Sequence, residues 1–422
     1  METVLTRKSL PPRLQILTQW FDPEPAFKGI GFARELAKHG FDVEVVTGFP
    51  NYPTGVVYKG YKLSLCQREV VGGISIVRLP LFPSHDSSAL RRILNYVSFA
   101  LSVSVYGLFA MRKADVMYVY HPPLTVGLSA ALIRAVRRIP IVYDVQDLWP
   151  DTLSATGMLR NRAALNVVGF FCKIVYWSVD CIAVLSEGFK AALLARGVPE
   201  SKVVVVRNWA DEAVLRRSLP TERLDIGDKV PPADALPFTV VYAGNLGKAQ
   251  ALDAVLDAAL MLQGSEQSIR FLFVGDGIDR PRLKAIVRDK AIDNVRFEDP
   301  VPLSEIGAIL SRADALLVHL SSDPLFDITI PSKTQAYLCV GRPVVMAVGG
   351  EAADLVERAG AGVVAQPGNA ESIANAVLSL ARSSVGERVA MGERGRRFYD
   401  SELSFDRGVD AFAALCRRLC SK

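Results

Sequence analysis

Short apolar runs rich in β-branched residues alternate with amphipathic helical stretches over almost the whole chain, and this alternation restricts the fold more than any other feature. Apolar strands separated by helices are typical of parallel sheets covered on both faces. The pattern therefore predicts an α/β protein with doubly wound sheets. The predicted strands are residues 14–21, 43–48, 74–79, 116–121, 139–145, 181–186 and 203–206, followed by 238–244, 269–275, 294–299, 313–320, 342–348 and 362–365.

The alternation stops between residues 217 and 237, where the chain carries four prolines and several charges without periodicity. Such a segment is typical of a linker between domains, and 422 residues suit two large domains. We predict two Rossmann-like domains whose parallel sheets face a cleft. The expected bounds are 1–212 for the first domain, 213–237 for the linker, 238–400 for the second domain and 401–422 for a helical end segment.

Charge and motif content exclude several classes of protein. The net charge is +5, and residues 1–215 hold 24 basic against 17 acidic residues, yet no block of five like charges occurs. We therefore expect no nucleic-acid partner. The six cysteines form no CxxC pair and the four histidines lack metal spacing, which predicts reduced thiols and no metal cofactor. The N-terminus lacks the apolar core of an export signal, which favours a cytoplasmic location.

The second half contains glycine turns suited to a phosphate. The turns at 243–250 and 273–283 each follow a predicted strand, and turn amides with a helix dipole favour an anion, although packing alone also selects glycine there. Lys333 lies in the first turn of a helix predicted to begin at Pro331 and Ser332. A cation beside the positive end of a dipole suggests that an anion shares the site; the alternative is a solvated surface lysine.

The first half contains polar and aromatic residues after two predicted strands. Asp144, Gln146, Asp147 and Trp149 lie at the end of one strand, and His121 ends another. Aromatic faces stack on sugar rings and carboxylates accept hydroxyl protons, so the group favours a sugar or polyol site with Asp147 facing the cleft. His121 taken alone is better explained as a core or loop histidine.

One apolar stretch, residues 93–111, approaches membrane-spanning length between Arg91–Arg92 and Arg112–Lys113. It lies between two predicted strands of one sheet, so a true span would put the halves of one domain on opposite sides of a bilayer. We therefore expect a helix partly buried in the first domain that touches a membrane interface.

A set of motifs covering nearly the whole chain carries a family resemblance; they are PEPAFKGIGFARELAKHGFDVEVVTGFPNYP, YHPPL, YDVQDLWPDTL, VVRNWAD, YAGNLGKAQ, VGDG and IPSKTQAYLCVGRPVVMAV. They resemble glycosyltransferase family 4, in particular the bacterial branch that makes O-antigen, capsule and colanic-acid-type polysaccharides and includes the N-acetylfucosamine transferases. The resemblance implies the GT-B fold, with an acceptor domain first, a nucleotide-sugar domain second and a last helix returning to the first domain. It also implies transfer with retention of anomeric configuration and without a metal.

The resemblance, taken with the residue patterns, gives a set of candidate site residues. The expected catalytic residues are Asp147 and Lys333. The expected donor-binding residues are Gly244, Asn245, Gly247, Lys248, Gln250, Gly275, Asp276, Gly277, Pro331, Ser332, Gln335 and Glu351. The expected acceptor-binding residues are Glu24, Phe27, Gly29, His121, Asp144, Gln146 and Trp149.

The chain departs from the family pattern at several of its charged positions. Many members carry an Arg and a Lys where this chain has Asn245 and Gln250, and the paired glutamates of the family fall on Ile328 and Ala336. A common acceptor-side histidine corresponds to Gln146. Positive charge for a departing diphosphate would then come from Lys333, with Lys248 or Arg207 as further candidates.

These patterns together predict a retaining glycosyltransferase. It would move an N-acetylamino sugar, UDP-linked, to a lipid-linked saccharide acceptor at the cytoplasmic face of the inner membrane. Two alternatives stay open: a nucleotide-sugar 2-epimerase, which would share fold and donor, and an inactive nucleotide-sugar-binding scaffold of a polysaccharide assembly complex, which the missing glutamates would allow.

Overall fold

The computed structural model describes residues 10–84, 88–217 and 237–421. Within them the chain forms two sheets, of eight and six strands. The strands of the first sheet are β1 (Arg13–Leu17), β2 (Asp42–Gly48), β3 (Gln67–Val71), β4 (Ile74–Leu79), β5 (Val116–His121), β6 (Ile141–Val145), β7 (Cys181–Val184) and β8 (Val203–Val205). The strands of the second are β9 (Phe238–Ala243), β10 (Ile269–Val274), β11 (Val295–Glu298), β12 (Ala315–His319), β13 (Val344–Ala347) and β14 (Gly362–Val364).

Helices connect these strands. In the first part of the chain they are α1 (Ile30–Lys38), α2 (Ala89–Phe109), α3 (Leu124–Arg137), α4 (Asp151–Ala155), α5 (Arg162–Ser178), α6 (Glu187–Ala195) and α7 (Glu212–Arg217). In the second part they are α8 (Asp253–Leu262), α9 (Arg280–Asp289), α10 (Leu303–Ser311), α11 (Pro324–Asp327), α12 (Ser332–Val340), α13 (Gly350–Ala359), α14 (Ala370–Arg382), α15 (Val385–Glu402) and α16 (Phe405–Cys420).

The strand orders are those of doubly wound sheets. The first is β3-β4-β2-β1-β5-β6-β7-β8 and the second is β11-β10-β9-β12-β13-β14. All pairs are parallel except β3 with β4. The predicted parallel α/β architecture is therefore confirmed. In the first sheet the strands are added on one side of β1 and then, from β5 onward, on the other side; in the second sheet the same change of side occurs between β9 and β12. Ligands are expected beyond the carboxyl ends of the strands at these two points.

Strand β3 is the one element of the first sheet that the sequence pattern does not predict. It is an antiparallel edge strand, and Val70 is 73% exposed. Because neither face of this strand is deeply buried, it lacks the continuous apolar run that marks the other strands.

The first sheet is covered by different helices on its two faces. The apolar side chains of α2, α3, α5 and α6 pack on one face. The other face is covered by α1 and by the last helix, α16, through Val409 and Phe412. The chain thus returns from the second domain to complete the core of the first.

Helix α7 lies where the linker was expected to begin. It packs on α10 and α12 of the second domain and buries Leu215 there. Residues 213–217 therefore form part of a helix, and the rest of the expected linker, 218–236, lies outside the described residues.

Candidate active site

A cavity of about 530 Å³ lies between the carboxyl ends of the two sheets. The first domain contributes Phe27, after β1, and Trp209, after β8. The second domain contributes the turns after β9 and β10 and the first turn of α12; the expected site residues among these are Gly244, Asn245, Gly275, Asp276, Ser332 and Lys333. Residues from distant parts of the sequence therefore meet in one cleft, as expected for a doubly wound pair of sheets.

Lys333 is a half-buried cation that has no anionic partner among the described residues. Its Nζ contacts the hydroxyl of Tyr242 and lies 3.8 Å from the centre of the Tyr242 ring. Within the described residues it forms no ion pair. Burial lowers its pKa to about 7, because desolvation disfavours the charged form. A lysine held in this way is prepared to bind an anion that enters the cavity.

The turn after β9 makes room for Lys333. Gly244 has a φ of +129°, and a Cβ at this position would lie 2.7 Å from Cε of Lys333. Gly275, with a φ of +139°, contacts the carbonyl of Gly244, so a side chain there would separate the two turns. Both glycines are needed for the close approach of backbone and cation.

Asn245 and Gln250, which stand where the family resemblance leads one to expect an Arg and a Lys, form a neutral amide pair. Nδ2 of Asn245 donates to Oε1 of Gln250 at 3.2 Å, and the backbone N–H of Gly247 donates to the same oxygen at 3.1 Å. These amides stabilise the turn but bring no cation to it. Lys248, between them, is exposed. Of the residues that line the cavity, Lys333 is thus the one cation.

Three other expected donor-binding residues, Gly277, Pro331 and Gln335, lie outside the cavity lining. Gly277 contacts the carbonyl of Leu246, Pro331 caps α12, and Gln335 is 2% exposed. His319, not selected from the sequence, shapes the same turn: its Nδ1 donates to the carbonyl of Gln250 at 2.7 Å and its Nε2 accepts from Gly368 at 3.1 Å. None of these residues lines the cavity as described.

Glu351 joins the two domains instead of facing the cavity. Its carboxylate accepts hydrogen bonds from the backbone N–H groups of Glu187, at 3.0 Å, and Gly188. These N–H groups belong to the first turn of α6, where a carboxylate is stabilised by the helix dipole. Nearby, Oγ of Ser186 donates to the carbonyl of Ile328 at 2.6 Å. Glu351 therefore acts as a cap across the domain interface.

Gly188→Ala is expected to open this interface. The new Cβ would collide with Ile328 and lie 2.9 Å from Oε1 of Glu351, at a cost of about 1–3 kcal/mol for overpacking. Small-angle scattering should show a larger radius of gyration, and turnover should fall. The control is Gly386→Ala, whose nearest atom would be 4.0 Å away. An unchanged radius and unchanged turnover in Gly188→Ala would refute the capping role.

Asp147 lies after β6 as an unpartnered carboxylate. Within the described residues its side chain makes no hydrogen bond or ion pair, and burial raises its pKa. It does not line the cavity that holds Lys333. The structure therefore does not bring the two expected catalytic residues into one cavity.

Asp144, expected to bind acceptor, is instead buried in a charged network. Its carboxylate pairs with Lys28 and accepts from the hydroxyl of Tyr118. Its other oxygen accepts from Nε2 of Gln146 at 2.7 Å, and Oε1 of Gln146 accepts from Nδ2 of Asn208 at 2.7 Å. The network holds the end of β6 against the segment that leaves the first domain.

Lys28 was not selected from the sequence, although it lies inside a quoted motif. Its Nζ is 4.3 Å from the ring centre of Phe412 and 5.2 Å from that of Trp209. Burial lowers its pKa, and Asp144 opposes this effect. Trp209 also stacks on Phe27, at 5.2 Å between ring centres. The VVRNWAD motif singled out the segment around Trp209, but the residues that contact Trp209, such as Phe27 and Lys28, are far from it in the sequence.

The remaining expected acceptor residues are mostly buried. The carboxylate of Glu24 is occupied by the backbone N–H groups of Phe21, Asn51 and Tyr52. Burial lowers the pKa of His121 to about 3. Glu24 therefore orders the loops beside the cleft, and His121 is neutral.

Trp149 and Gly29, the other two expected acceptor residues, pack against neighbouring side chains of the first domain. His121 meets the half-buried ring of Trp149 edge to face at 5.2 Å. Gly29 precedes α1, where a Cβ would collide with the carboxylate of Asp22. Of the expected acceptor residues, Phe27 is the one whose side chain reaches the cavity.

The described residues contain no group of three or more His, Cys, Asp and Glu side chains that could hold a metal ion. Independence from metal remains a prediction about the reaction.

Two family models match this chain. A glycosyl transferase 4-like domain matches residues 31–209, and the model named glycosyl transferases group 1 matches residues 237–383. The two matches fall on the first and second domains. Together they cover most of the chain.

Two curated proteins are similar over most of their length. "Putative colanic acid biosynthesis glycosyl transferase WcaI" of Escherichia coli K12 is 25% identical over 338 residues, which cover 78% of this chain and 82% of WcaI. "Probable glycosyltransferase WbjE" of Pseudomonas aeruginosa is 23% identical over 345 residues, covering 81% of this chain and 84% of WbjE.

Solved structures show the same fold. Sucrose-phosphate synthase from Thermosynechococcus elongatus superposes with a TM-score of 0.71 at 15% identity and covers 97% of this chain and 99% of its own. Anabaena Alr3699/HepE, solved with UDP and glucose, superposes with a TM-score of 0.65 at 16% identity and covers 95% of this chain and 98% of its own. The chain therefore belongs to the family 4 glycosyltransferases of bacterial polysaccharide synthesis and has their GT-B fold.

Proposed function

We propose that the protein transfers an N-acetylamino sugar from a UDP-linked donor to a lipid-linked saccharide, with retention of anomeric configuration, at the cytoplasmic face of the inner membrane. The observation that carries this proposal is the unpaired Lys333 in the cavity between the sheets. A departing nucleoside diphosphate is the anion that such a site would stabilise.

The cavity offers two chemically different walls to a nucleotide. Lys333 and the glycine turns form the polar wall, and Val274, Val301 and Ile306 contribute apolar surface. A diphosphate suits the first and a base the second. UDP as the nucleotide is supported by the structurally similar HepE, whose structures contain UDP, UDP and glucose, or UDP-glucose.

The proposed chemistry is mainly electrostatic. The bond between the anomeric carbon and the diphosphate breaks as the acceptor oxygen bonds to the same carbon, and the acceptor proton passes to the departing phosphate on the same face. Lys333 and the first-turn amides of α12 hold the increasing negative charge. Asp147, whose carboxylate has no hydrogen-bond or ion-pair partner among the described residues, would stabilise positive charge on the sugar once that charge is close enough to offset the burial that raises its pKa.

A thermal-shift screen tests the donor. UDP or UDP-N-acetylglucosamine at a hundredfold excess over Kd should raise Tm by roughly 5 °C, with or without EDTA. GDP, dTDP and CMP serve as matched ligands. A shift with GDP alone would identify GDP instead of UDP as the donor nucleotide, and no shift with any nucleotide would reject the donor site. A shift without turnover on any acceptor would favour the scaffold.

Product analysis then separates transfer from epimerisation. Incubation with UDP-N-acetylglucosamine and a lipid-linked N-acetylglucosamine should give a new glycolipid that forms only with acceptor, and proton NMR should show the donor's anomeric configuration in it. A 2-epimer of the donor formed without acceptor would instead identify an epimerase.

A further inference from the structure

Three adjacent helices of the first domain, α2, α3 and α5, expose an apolar surface away from the sheet. Their inner sides pack on one face of the sheet, so their outer sides point together into solvent. We call the outer side of these three helices the helical face. Its large apolar side chains, each at least 38% exposed, are Leu90, Ile93, Leu94, Val97, Leu101, Val105, Phe109, Leu132, Val136, Val167, Phe170, Phe171, Ile174 and Trp177.

The three helices form one continuous layer. Oγ of Ser129 in α3 donates to the carbonyl of Ala100 in α2 at 2.8 Å. Gly107 of α2 lies so close to α3 that a Cβ would collide with Ile133. On the other side, Arg134 of α3 bonds Asp180, just after α5, at 2.7 Å. The apolar stripes therefore lie side by side on a layer with a stable shape.

The charged residues within the three helices are of one sign, and of these Arg134 is paired with Asp180, which follows α5. The sequences of α2, α3 and α5 contain no Asp or Glu, and they carry six basic residues; these are Arg91, Arg92, Arg134, Arg137, Arg162 and Lys173. By contrast, α1 and α16 on the opposite face carry both signs. Among the described residues, neither of those helices exposes a large apolar side chain.

An apolar face whose helices carry cations and no carboxylate is complementary to the surface of an anionic bilayer. We propose that the helical face docks the first domain onto anionic lipid, with the three helices lying along the interface. This proposal rests on the proposed function, because it would bring the cleft to a lipid-linked acceptor. It commits to a bilayer rather than to a protein partner.

Helix α2 lies on the membrane in this arrangement and does not cross it. Among the described residues, Leu90–Phe109 is the one helix long and apolar enough to span a bilayer by length and composition. Yet Phe99, Val103 and Tyr106 are buried against the sheet. Insertion across a bilayer would remove them from the core of the first domain, whereas shallow docking leaves that core intact.

Vesicle sedimentation tests the helical face. The full-length protein should bind vesicles of phosphatidylcholine with phosphatidylglycerol about tenfold more tightly than vesicles of phosphatidylcholine alone, and added salt should weaken binding. Phe170→Glu should lower the partition coefficient about tenfold. The control is Met261→Glu on α8, since Met261 is 59% exposed and Phe170 is 61% exposed.

Trp177 gives a second measurement at the same surface. It is 58% exposed, so brominated lipids should quench its fluorescence, and Trp177→Phe should remove most of the quenching. Absence of vesicle binding, or equal binding by Phe170→Glu and Met261→Glu, would overturn the proposal. So would a dimer of the native protein that Phe170→Glu dissociates, which would identify a second copy as the occupant.

The donor assay keeps the two proposals distinguishable. Phe170→Glu should retain the full UDP-induced shift in Tm, because the helical face does not line the cavity. If the native protein shows the UDP-induced shift in Tm but does not bind vesicles, the membrane surface alone is rejected. Vesicle binding without any nucleotide shift would reject the donor site alone.

Discussion

Lys333→Met is expected to lower kcat/KM by about a hundredfold or more while making the folded protein more stable at pH 7. The kinetic loss follows from the position of Lys333, which lies in the cavity between the domains and has no carboxylate partner in the part of the chain that the structure describes. Methionine keeps the length and apolar stem of the side chain but removes the charge that would stabilise a departing diphosphate. Steady-state kinetics with the donor identified by thermal shift would measure the loss.

The gain in stability follows from the pKa of Lys333. Burial lowers this pKa from 10.5 to about 7, so the unfolded chain binds the proton more tightly than the folded protein. Between these pH values unfolding takes up a proton, and the stability of the native protein therefore rises with pH. Lys333→Met lacks this dependence. Its advantage in free energy of unfolding should be about 4 kcal/mol at pH 7, should fall to about 1 kcal/mol near pH 10 and should disappear above about pH 11.

Urea unfolding at pH 7 and pH 9.5 would measure this difference. Lys248→Met is the matched control, because Lys248 lies on the neighbouring turn and is exposed. It should leave the stability and its pH dependence nearly unchanged. A Lys333→Met variant with native turnover, or one less stable than the native protein at pH 7, would contradict the assignment.

The architecture was largely predictable because it depends on local patterns. A strand buried on both faces needs a continuous apolar run, so all the central strands are visible in the sequence. Strand β3 is missed because an exposed edge strand needs no such run. Helix α12 was also predictable: Pro331 precedes it and Gly341, with a φ of +78°, ends it, as the residue types indicate.

The candidate site was only partly predictable, because much of it depends on contacts between distant residues. Lys333 is visible locally, since a cation at a helix N-terminus is unusual. Glu351 looks equally polar in sequence, but its role depends on α6 of the other domain, more than a hundred residues away. The helical face shows the same limit: residues 93–111 suggest a membrane contact, whereas the contribution of Phe170 and Trp177 requires knowing which side of α5 packs on the sheet.

Lys28→Met is expected to destabilise the protein by about 3–5 kcal/mol, because it leaves the carboxylate of Asp144 buried without its cation. The Lys28 and Asp144 side chains are 1% and 0% exposed. Solvent therefore cannot replace the lost partner. The rings around Lys28 would accept a methionine, so the loss should come from the unpaired charge rather than from poor packing.

A double-variant cycle separates these two causes. Lys28→Met combined with Asp144→Leu removes both charges and should be closer to the native free energy of unfolding than Lys28→Met alone, since apolar replacement of a buried ion pair is often well tolerated. Lys290→Ala is the exposed control: Lys290 and Asp257 form a pair that is 47% and 44% exposed, and its loss should cost less than about 1 kcal/mol. Urea unfolding of the native protein, Lys28→Met, Asp144→Leu, the double variant and Lys290→Ala would measure all terms. If Lys28→Met cost no more than Lys290→Ala, the buried pair would not be what holds the end of β6 to the loop before α1, and the aromatic rings around Lys28 alone would have to do so.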